Sequence, residues 1–258
     1  GPVLLRSALA KSINTIAIKV TYDVTPAAVA ELATRMGIQS KLPAEMSLAL
    51  GSGEVTVLDM TNAIATFAAG GKAAPPRFIE TMNGKTTSAS VGEQVLSPQT
   101  SYIVTDMMRS VVTSGTGYLA NSLNVPIAGK TGTSNDAKDT WFVAMTPDYA
   151  FGVWVGYDDN RSMGREAGGT TAVPVFVELG KSMKLPAKAF TRPSGILEAK
   201  IDRATGKTAY EISAEVAEEL FEKTKLKPKD IDGVGFTVPI SECSNPFWSN
   251  YCTDYLGI

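Results

Sequence analysis

The hydrophobic period of the chain changes once, near Val125, and that change limits the folds open to it. Before it, apolar residues recur at helical spacing. Residues 4–11 read as the end of a helix broken near Ser12, and residues 14–24 carry Ile16, Ala17, Val20 and Val24 on helical positions. Thr25-Pro26 is an N-cap followed by proline at N1, and the helix behind it stops at Gly37. Thr56 with Asp59 resembles a capping box ahead of Met60, Ile64 and Phe67. Ser97-Pro98 opens a further helix, whose expected apolar face is Ile103, Met107 and Val111.

After Val125 the pattern is that of strands. Residues 126–133, 141–145 and 151–157 are short β-type runs, with turn residues Asn135-Asp136 and Pro147-Asp148 between them. Connections this short imply antiparallel pairing. Residues 173–183 return to helical spacing. Helices, a strand meander and a closing helix make an α+β fold with helices packed on an antiparallel sheet. The character shifts again near residues 186–193, where proline and glycine punctuate short segments. The expected division is a main body at 1–188 and a small appendage at 189–258. Within the appendage, residues 213–225 read as a charged helix, Glu-rich early and Lys-rich late, in keeping with the helix dipole.

Composition removes several functions. The 258 residues are 44% hydrophobic and 19% charged, which excludes a disordered chain. Lys+Arg 24 against Asp+Glu 26 leaves no basic field for a nucleic acid. There is no histidine, so a histidine-based triad and imidazole-ligated zinc are excluded. Proton transfer must run through Lys, Ser, Tyr or carboxylates, with no metal and no cofactor expected. Cys243 and Cys252 are too few for a four-thiolate zinc site; they are either one disulfide closing a short loop or two reduced thiols. No apolar run reaches the ~18 residues of a membrane span. The chain starts at Gly1-Pro2 without an initiator Met and is expected to be a piece of a longer polypeptide.

Gly-Lys followed by Ser or Thr occurs at Gly84, Gly129, Gly180 and Gly206, yet a phosphate loop needs another glycine five positions earlier. Those positions hold Ile79, Asn124, Val175 and Ile201, so nucleotide binding is not expected. Lys130-Thr131-Gly132-Thr133-Ser134 stands at the end of a predicted strand. Ser12-Ile13-Asn14 interrupts a helical stretch 118 residues upstream. Alone, the first is strand-end decoration and the second a plain helix cap. Together they match two signatures of the serine enzymes that react with β-lactams.

The likeness extends along the chain. Residues 5–14 (LRSALAKSIN), 49–56 (ALGSGEVT), Gly115-Thr116-Gly117, residues 129–135, 152–157 (GVWVGY) and 168–174 (GGTTAVP) keep the order and spacing of a family. Over residues 3–186 the sequence resembles the transpeptidase domain of bifunctional class A penicillin-binding proteins. The resemblance implies the penicillin-binding/serine β-lactamase-like fold, here partial. It implies a peptidoglycan D,D-transpeptidase that takes D-Ala-D-Ala stem peptides and is acylated by β-lactams, on the extracytoplasmic side of a bacterial membrane. By the same resemblance, Ser12 would shuttle a proton to the leaving amine, and Asn14 would orient the family's first lysine and the substrate amide. Lys130 would hold Ser12 and favour the substrate's carboxylate, Thr131 and Thr133 would bind that carboxylate, and Ser134 would complete the substrate-binding stretch. Gly132 would let substrate approach the strand edge, and the Thr133 N–H would be an oxyanion donor. The extracytoplasmic setting favours pairing Cys243 with Cys252.

One element of the family pattern is missing: no serine has a lysine three residues on. The nucleophile and its lysine are therefore expected in the N-terminal remainder of the same protein, with the membrane anchor and the glycosyltransferase domain. Two alternatives stand beside this reading. One is a serine β-lactamase relative, for which no water-activating Glu-x-x-x-Asn is in place. The other is a non-catalytic peptidoglycan-binding or scaffold module.

Overall fold

A computed structural model describes residues 3–87 and 92–196, together with residues 207, 211, 215, 218, 219 and 222–225. Cys243 and Cys252 lie outside the described residues. The larger compact unit is Val3–Ile196, and a second takes in the chain beyond it. Of the helix expected at 213–225, the described residues Glu215, Glu218, Glu219, Glu222, Lys223 and Thr224 are helical. Glu219 pairs with Lys223 one turn on.

The larger unit begins with three helices, α1 (Leu5–Ala10), α2 (Asn14–Val24) and α3 (Pro26–Arg35). Thr25 caps α3 by accepting the Ala28 N–H at 3.3 Å, with Pro26 at the first helical position. Gly37, at φ +104°, takes the chain out of α3. A 3₁₀ turn at Met46–Leu50 leads to α4 (Val57–Ala68), whose cap Thr56 accepts the Asp59 N–H at 3.0 Å. Two small antiparallel pairs follow, β1 (Lys72–Ala73) with β4 (Glu93–Gln94) and β2 (Thr81–Met82) with β3 (Lys85–Thr86). Helix α5 (Pro98–Ser114) is capped by Ser97, which accepts the Thr100 N–H at 3.0 Å.

The strands after Val125 form the expected meander. β5 (Ala128–Thr133), β6 (Asp139–Met145) and β7 (Ala150–Gly156) pair antiparallel in that order, with Lys130 opposite Val143 and Trp141 opposite Trp154. Helix α6 (Ala172–Met183) closes the unit. Alternation along the strands divides the core between the two faces of the sheet. Phe142, Ala144, Phe151 and Val153 meet Val173, Phe176 and Val177 of α6. The ring of Phe176 lies edge-on to Phe142 and to Phe151, each at 5.1 Å. On the other face Ala128, Val143 and Met145 meet Ile64 of α4 and Met108 of α5. Covered on both faces, β6 reads as an unbroken apolar run from Trp141 to Met145.

The buried face of α5 keeps Val111 of the expected stripe but is otherwise turned away from it. Ile103 is 48% exposed, whereas Ser101, Thr105, Met108, Val111 and Val112 are buried. Two hydroxyls can line that stripe because each finds a carbonyl: Ser101 Oγ donates to Phe67 O at 2.9 Å and Thr105 Oγ1 to Ser101 O at 2.8 Å.

Candidate active site

Ser12 sits between α1 and α2 with φ +54°, a left-handed conformation uncommon for serine. Two contacts place the short helix α1 before it. At its start Arg6 Nη1 donates to Asp106 O at 2.7 Å and to Ser110 Oγ at 3.1 Å, with an Arg6–Asp106 ion pair beside them. At its end the Ala10 carbonyl accepts the Thr116 N–H at 3.1 Å. A Cβ at Gly115 would lie 2.2 Å from that carbonyl, so the approach of α5's end to α1 requires glycine there.

Neither polar residue of Ser12-Ile13-Asn14 acts as a plain cap. The N-cap of α2 is Ile13, and no side chain caps it. Ser12 instead reaches across to β5, where Lys130 Nζ donates to Ser12 Oγ at 2.8 Å and to Thr131 O at 2.8 Å. Asn14 opens α2, exposed, and its amide makes no hydrogen bond among the described residues.

Lys130 is half-buried, and no carboxylate pairs with it among the described residues. Desolvation lowers its pKa from the usual 10.5 to about 8. A lysine in that range is mostly ammonium at neutral pH with a small amine fraction, and can give or take a proton as well as carry charge.

The rest of β5 offers hydroxyls. Thr131 Oγ1 and Thr116 Oγ1 are 2.5 Å apart, so one of the two protons is shared and the other is free to donate outward. Thr133 Oγ1 accepts the Gly168 N–H at 3.0 Å, which likewise leaves its own O–H available. Gly168 touches the strand so closely that a Cβ there would lie 2.5 Å from both Gly132 O and Trp141 O. A Cβ at Gly132 would press on Trp141 Cβ at 3.2 Å.

Ser12, Lys130, Thr131 and Thr133 thus share one region at the exposed end of β5, with Asn14 one residue beyond Ile13. Ser134 stands apart in its bonding. Its hydroxyl donates to Asp139 Oδ2 at 2.9 Å and accepts the Asp139 N–H at 2.8 Å, which closes the β5–β6 turn. Thr116, Asp139 and Gly168 are contributors to which motif reading gave no role, although Gly168 opens the segment 168–174. Thr116 was visible only as the centre of Gly115-Thr116-Gly117. No group of three or more His, Cys, Asp or Glu poised to hold a metal occurs among the described residues.

The model of the penicillin-binding protein transpeptidase domain matches residues 1–180. The chain belongs to that family. Its relatives include penicillin-binding protein 1A of Rickettsia bellii, 34% identical over a 237-position alignment that covers 80% of this chain and 30% of the relative. Penicillin-binding protein 1A of Neisseria cinerea is 37% identical over 72% of this chain and 26% of its own length. The chain therefore spans about a third or less of these relatives. Among solved structures, penicillin-binding protein 1A from Haemophilus influenzae superposes with a TM-score of 0.74 at 27% identity, over 81% of this chain and 38% of that one. PonA1 from Mycobacterium tuberculosis, determined in complex with penicillin V, gives 0.64 at 25% identity, over 74% and 60%. The fold of Val3–Ile196 is thus that of the penicillin-binding transpeptidases, as its motifs imply. No described helix is long and apolar enough to cross a membrane.

Proposed function

We propose that the complete protein is a peptidoglycan D,D-transpeptidase of the serine acyl-enzyme type, and that this chain supplies one wall of its active site. The observation that carries the reading is the 2.8 Å contact between Lys130 Nζ and Ser12 Oγ, made by a lysine whose pKa is lowered to about 8. A serine hydroxyl held by such a lysine is equipped for proton transfer in a chain that has no histidine to do it.

A serine oxygen attacks the carbonyl between the two D-alanines of a stem peptide, and its proton passes through lysine amines. Ser12 delivers a proton to the amine of the departing D-alanine as the C–N bond breaks. The substrate's terminal carboxylate accepts the free hydroxyl protons of Thr133 and of the Thr131–Thr116 pair, with Lys130 supplying positive charge. Asn14, whose amide is unengaged among the described residues, holds the substrate amide. The Thr133 N–H serves as an oxyanion donor, a contribution of about 3–4 kcal/mol to the transition state. The amine of a second stem peptide then takes the acyl group, and a β-lactam enters as a stem-peptide mimic that stays attached.

No serine of this chain lies three residues before a lysine, so the attacking serine and its lysine belong to polypeptide outside these 258 residues. Action on peptidoglycan puts the protein on the outer side of the cytoplasmic membrane. The test is covalent labelling by fluorescent penicillin. The complete protein should be labelled with a long-lived adduct and the 258-residue chain should not. A stoichiometric adduct on the chain alone would place the nucleophile within it. A short-lived adduct on the complete protein would instead make it a β-lactamase, and no adduct a binding module.

A further inference from the structure

The turn that follows the Lys130 motif is strained and yet firmly held. Asp136 and Ala137 both have positive φ, +57° and +48°. Neither is glycine, and each such residue is unfavourable unless its surroundings fix it. Three features do so. The Ser134 N–H donates to Asp139 O at 2.9 Å, and the Asp139 N–H returns to Ser134 Oγ at 2.8 Å. The loop beyond β7 braces the tip, with Ser162 Oγ donating to Asp136 O at 2.5 Å and the Met163 N–H to Ala137 O at 3.0 Å. The third is the carboxylate of Asp139.

Both oxygens of that carboxylate are engaged, in different directions. Oδ2 accepts from Ser134 Oγ at 2.9 Å, on the β5 side of the turn. Oδ1 accepts from Trp154 Nε1 at 3.0 Å, on β7. The indole lies so close over the sheet that a Cβ at Gly156 would come within 2.5 Å of it and 2.8 Å of Lys138 O. One side chain therefore links the last residue of the Lys130-Thr131-Gly132-Thr133-Ser134 motif to the farthest strand of the meander. A charged acceptor is suited to this, because hydrogen bonds to carboxylates are roughly twice as strong as neutral ones.

We propose that Asp139 is a positioning residue for the active site: through Ser134 and Trp154 it fixes the end of β5, and with it the Thr133 N–H and hydroxyl. This rests on the transpeptidase reading and adds to it. Asp139 touches no reacting atom. It keeps the Thr133 donors from drifting with a strained turn, and a shift of about 1 Å in such a donor can slow a reaction by about 100-fold. The same bonding gives Ser134 a turn-locking role in place of substrate contact.

The experiment uses the complete protein and follows two readouts, the acylation rate by penicillin and amide hydrogen exchange of the peptide spanning residues 130–140. Asp139→Ala should slow acylation about 10- to 100-fold and speed exchange in that peptide, with exchange in α5 and α6 unchanged. Asp139→Asn should recover most of the rate. Its carbonyl still accepts from Trp154, and its amide can donate to Ser134 Oγ. Trp154→Phe should slow acylation about 3- to 10-fold and add little to Asp139→Ala in the double variant. Wild-type acylation and exchange in both single variants would overturn the proposal. So would a loss in Asp139→Ala spread over the whole domain and not recovered by Asn. If Asp139→Ala fails to fold, Trp154→Phe and Ser134→Ala decide by the same two readouts. If the wild-type complete protein is not acylated at all, the transpeptidase reading fails, and exchange at residues 130–140 still tests the positioning on its own.

Discussion

Lys130 and Ser12, 118 residues apart in the chain, meet at 2.8 Å, and the lysine making that contact is the described residue whose pKa burial displaces most clearly. The two facts have one origin. Ser12 is presented from a left-handed break between helices, and Lys130 from an edge strand with α5 at its back, so the ammonium lies in the angle between elements. Water is partly excluded there, and no carboxylate among the described residues compensates the charge.

Removing that ammonium should be felt in chemistry more than in folding. In the complete protein Lys130→Ala is expected to slow β-lactam acylation by roughly 30- to 1,000-fold, the equivalent of about 2–4 kcal/mol for a charge-assisted contact. Lys181 provides the control. It stands on the exposed side of α6, paired with Glu178 at 2.7 Å, and shares the Gly-Lys-Ser/Thr context without the strand. Lys181→Ala should change the rate by less than about twofold, since exposed pairs contribute little. Equal rates in wild type and Lys130→Ala, with both folded by circular dichroism, would remove Lys130 from the site.

The lowered pKa also predicts how stability responds to pH. Below about pH 8 Lys130 is protonated in the folded and unfolded states alike, and the folded protein bears the full cost of a desolvated ammonium. Between about 8 and 10.5 the folded state gives up the proton first, so the unfolded state binds more protons and stability rises with pH. Above 10.5 the cost is gone. Against a Lys130→Met variant, the wild type should therefore gain about 1–3 kcal/mol across that window in urea unfolding. Parallel stability curves for the two proteins from pH 7 to 10.5 would contradict the assignment.

Ser12 should separate stability from activity. Its φ of +54° suits glycine better than serine, so Ser12→Gly relieves local strain and leaves thermal stability within about 1 kcal/mol of wild type. The same change deletes the hydroxyl that Lys130 holds, and acylation should fall by at least about 100-fold if that hydroxyl relays the proton. A variant that is as active as the wild type would show that the backbone break, and not the hydroxyl, is what this position supplies.

Much of this was legible from the residues alone. The meander showed because β5, β6 and β7 carry strand-type runs separated by turn residues, and the caps at Thr25, Thr56 and Ser97 showed because each is followed by helical spacing. Ser12 and Lys130 could be paired by motif, although no periodicity joins positions so far apart. What stayed hidden has physical causes. Ser101 and Thr105 look like surface residues in sequence, yet they are buried because backbone carbonyls lie within reach of their hydroxyls. The pairs β1–β4 and β2–β3 have two residues to a strand, too few for an alternation to register. Ser134 reads as a motif residue beside substrate, whereas its hydroxyl closes a turn on Asp139, a contact that depends on where the next strand begins.

The edge of β5 leaves no room for a side chain at residue 168. Gly168 has no positive φ that would favour glycine; it is required because its Cβ position is filled. A methyl there would stand 2.5 Å from Gly132 O and from Trp141 O, both backbone atoms that cannot rotate away. Its N–H also holds Thr133 Oγ1 at 3.0 Å. Gly168→Ala must therefore push the segment at residues 167–169 off the strand, breaking that bond and freeing the Thr133 side chain. Overpacking of this kind costs about 1–3 kcal/mol. Acylation of the complete protein should fall with it, by about 10-fold or more, because the displaced segment borders the Thr133 hydroxyl. Gly84→Ala is the comparison. Gly84 lies in the β2–β3 turn with φ +74° and no atom within 4 Å of a Cβ, so its substitution strains a turn far from Lys130 in the sequence and crowds nothing. It should cost about 1–2 kcal/mol through backbone strain alone and leave the acylation rate within about twofold. If Gly168→Ala and Gly84→Ala lowered stability alike and neither slowed acylation, the close approach of residue 168 to β5 would be structural filling with no bearing on the site.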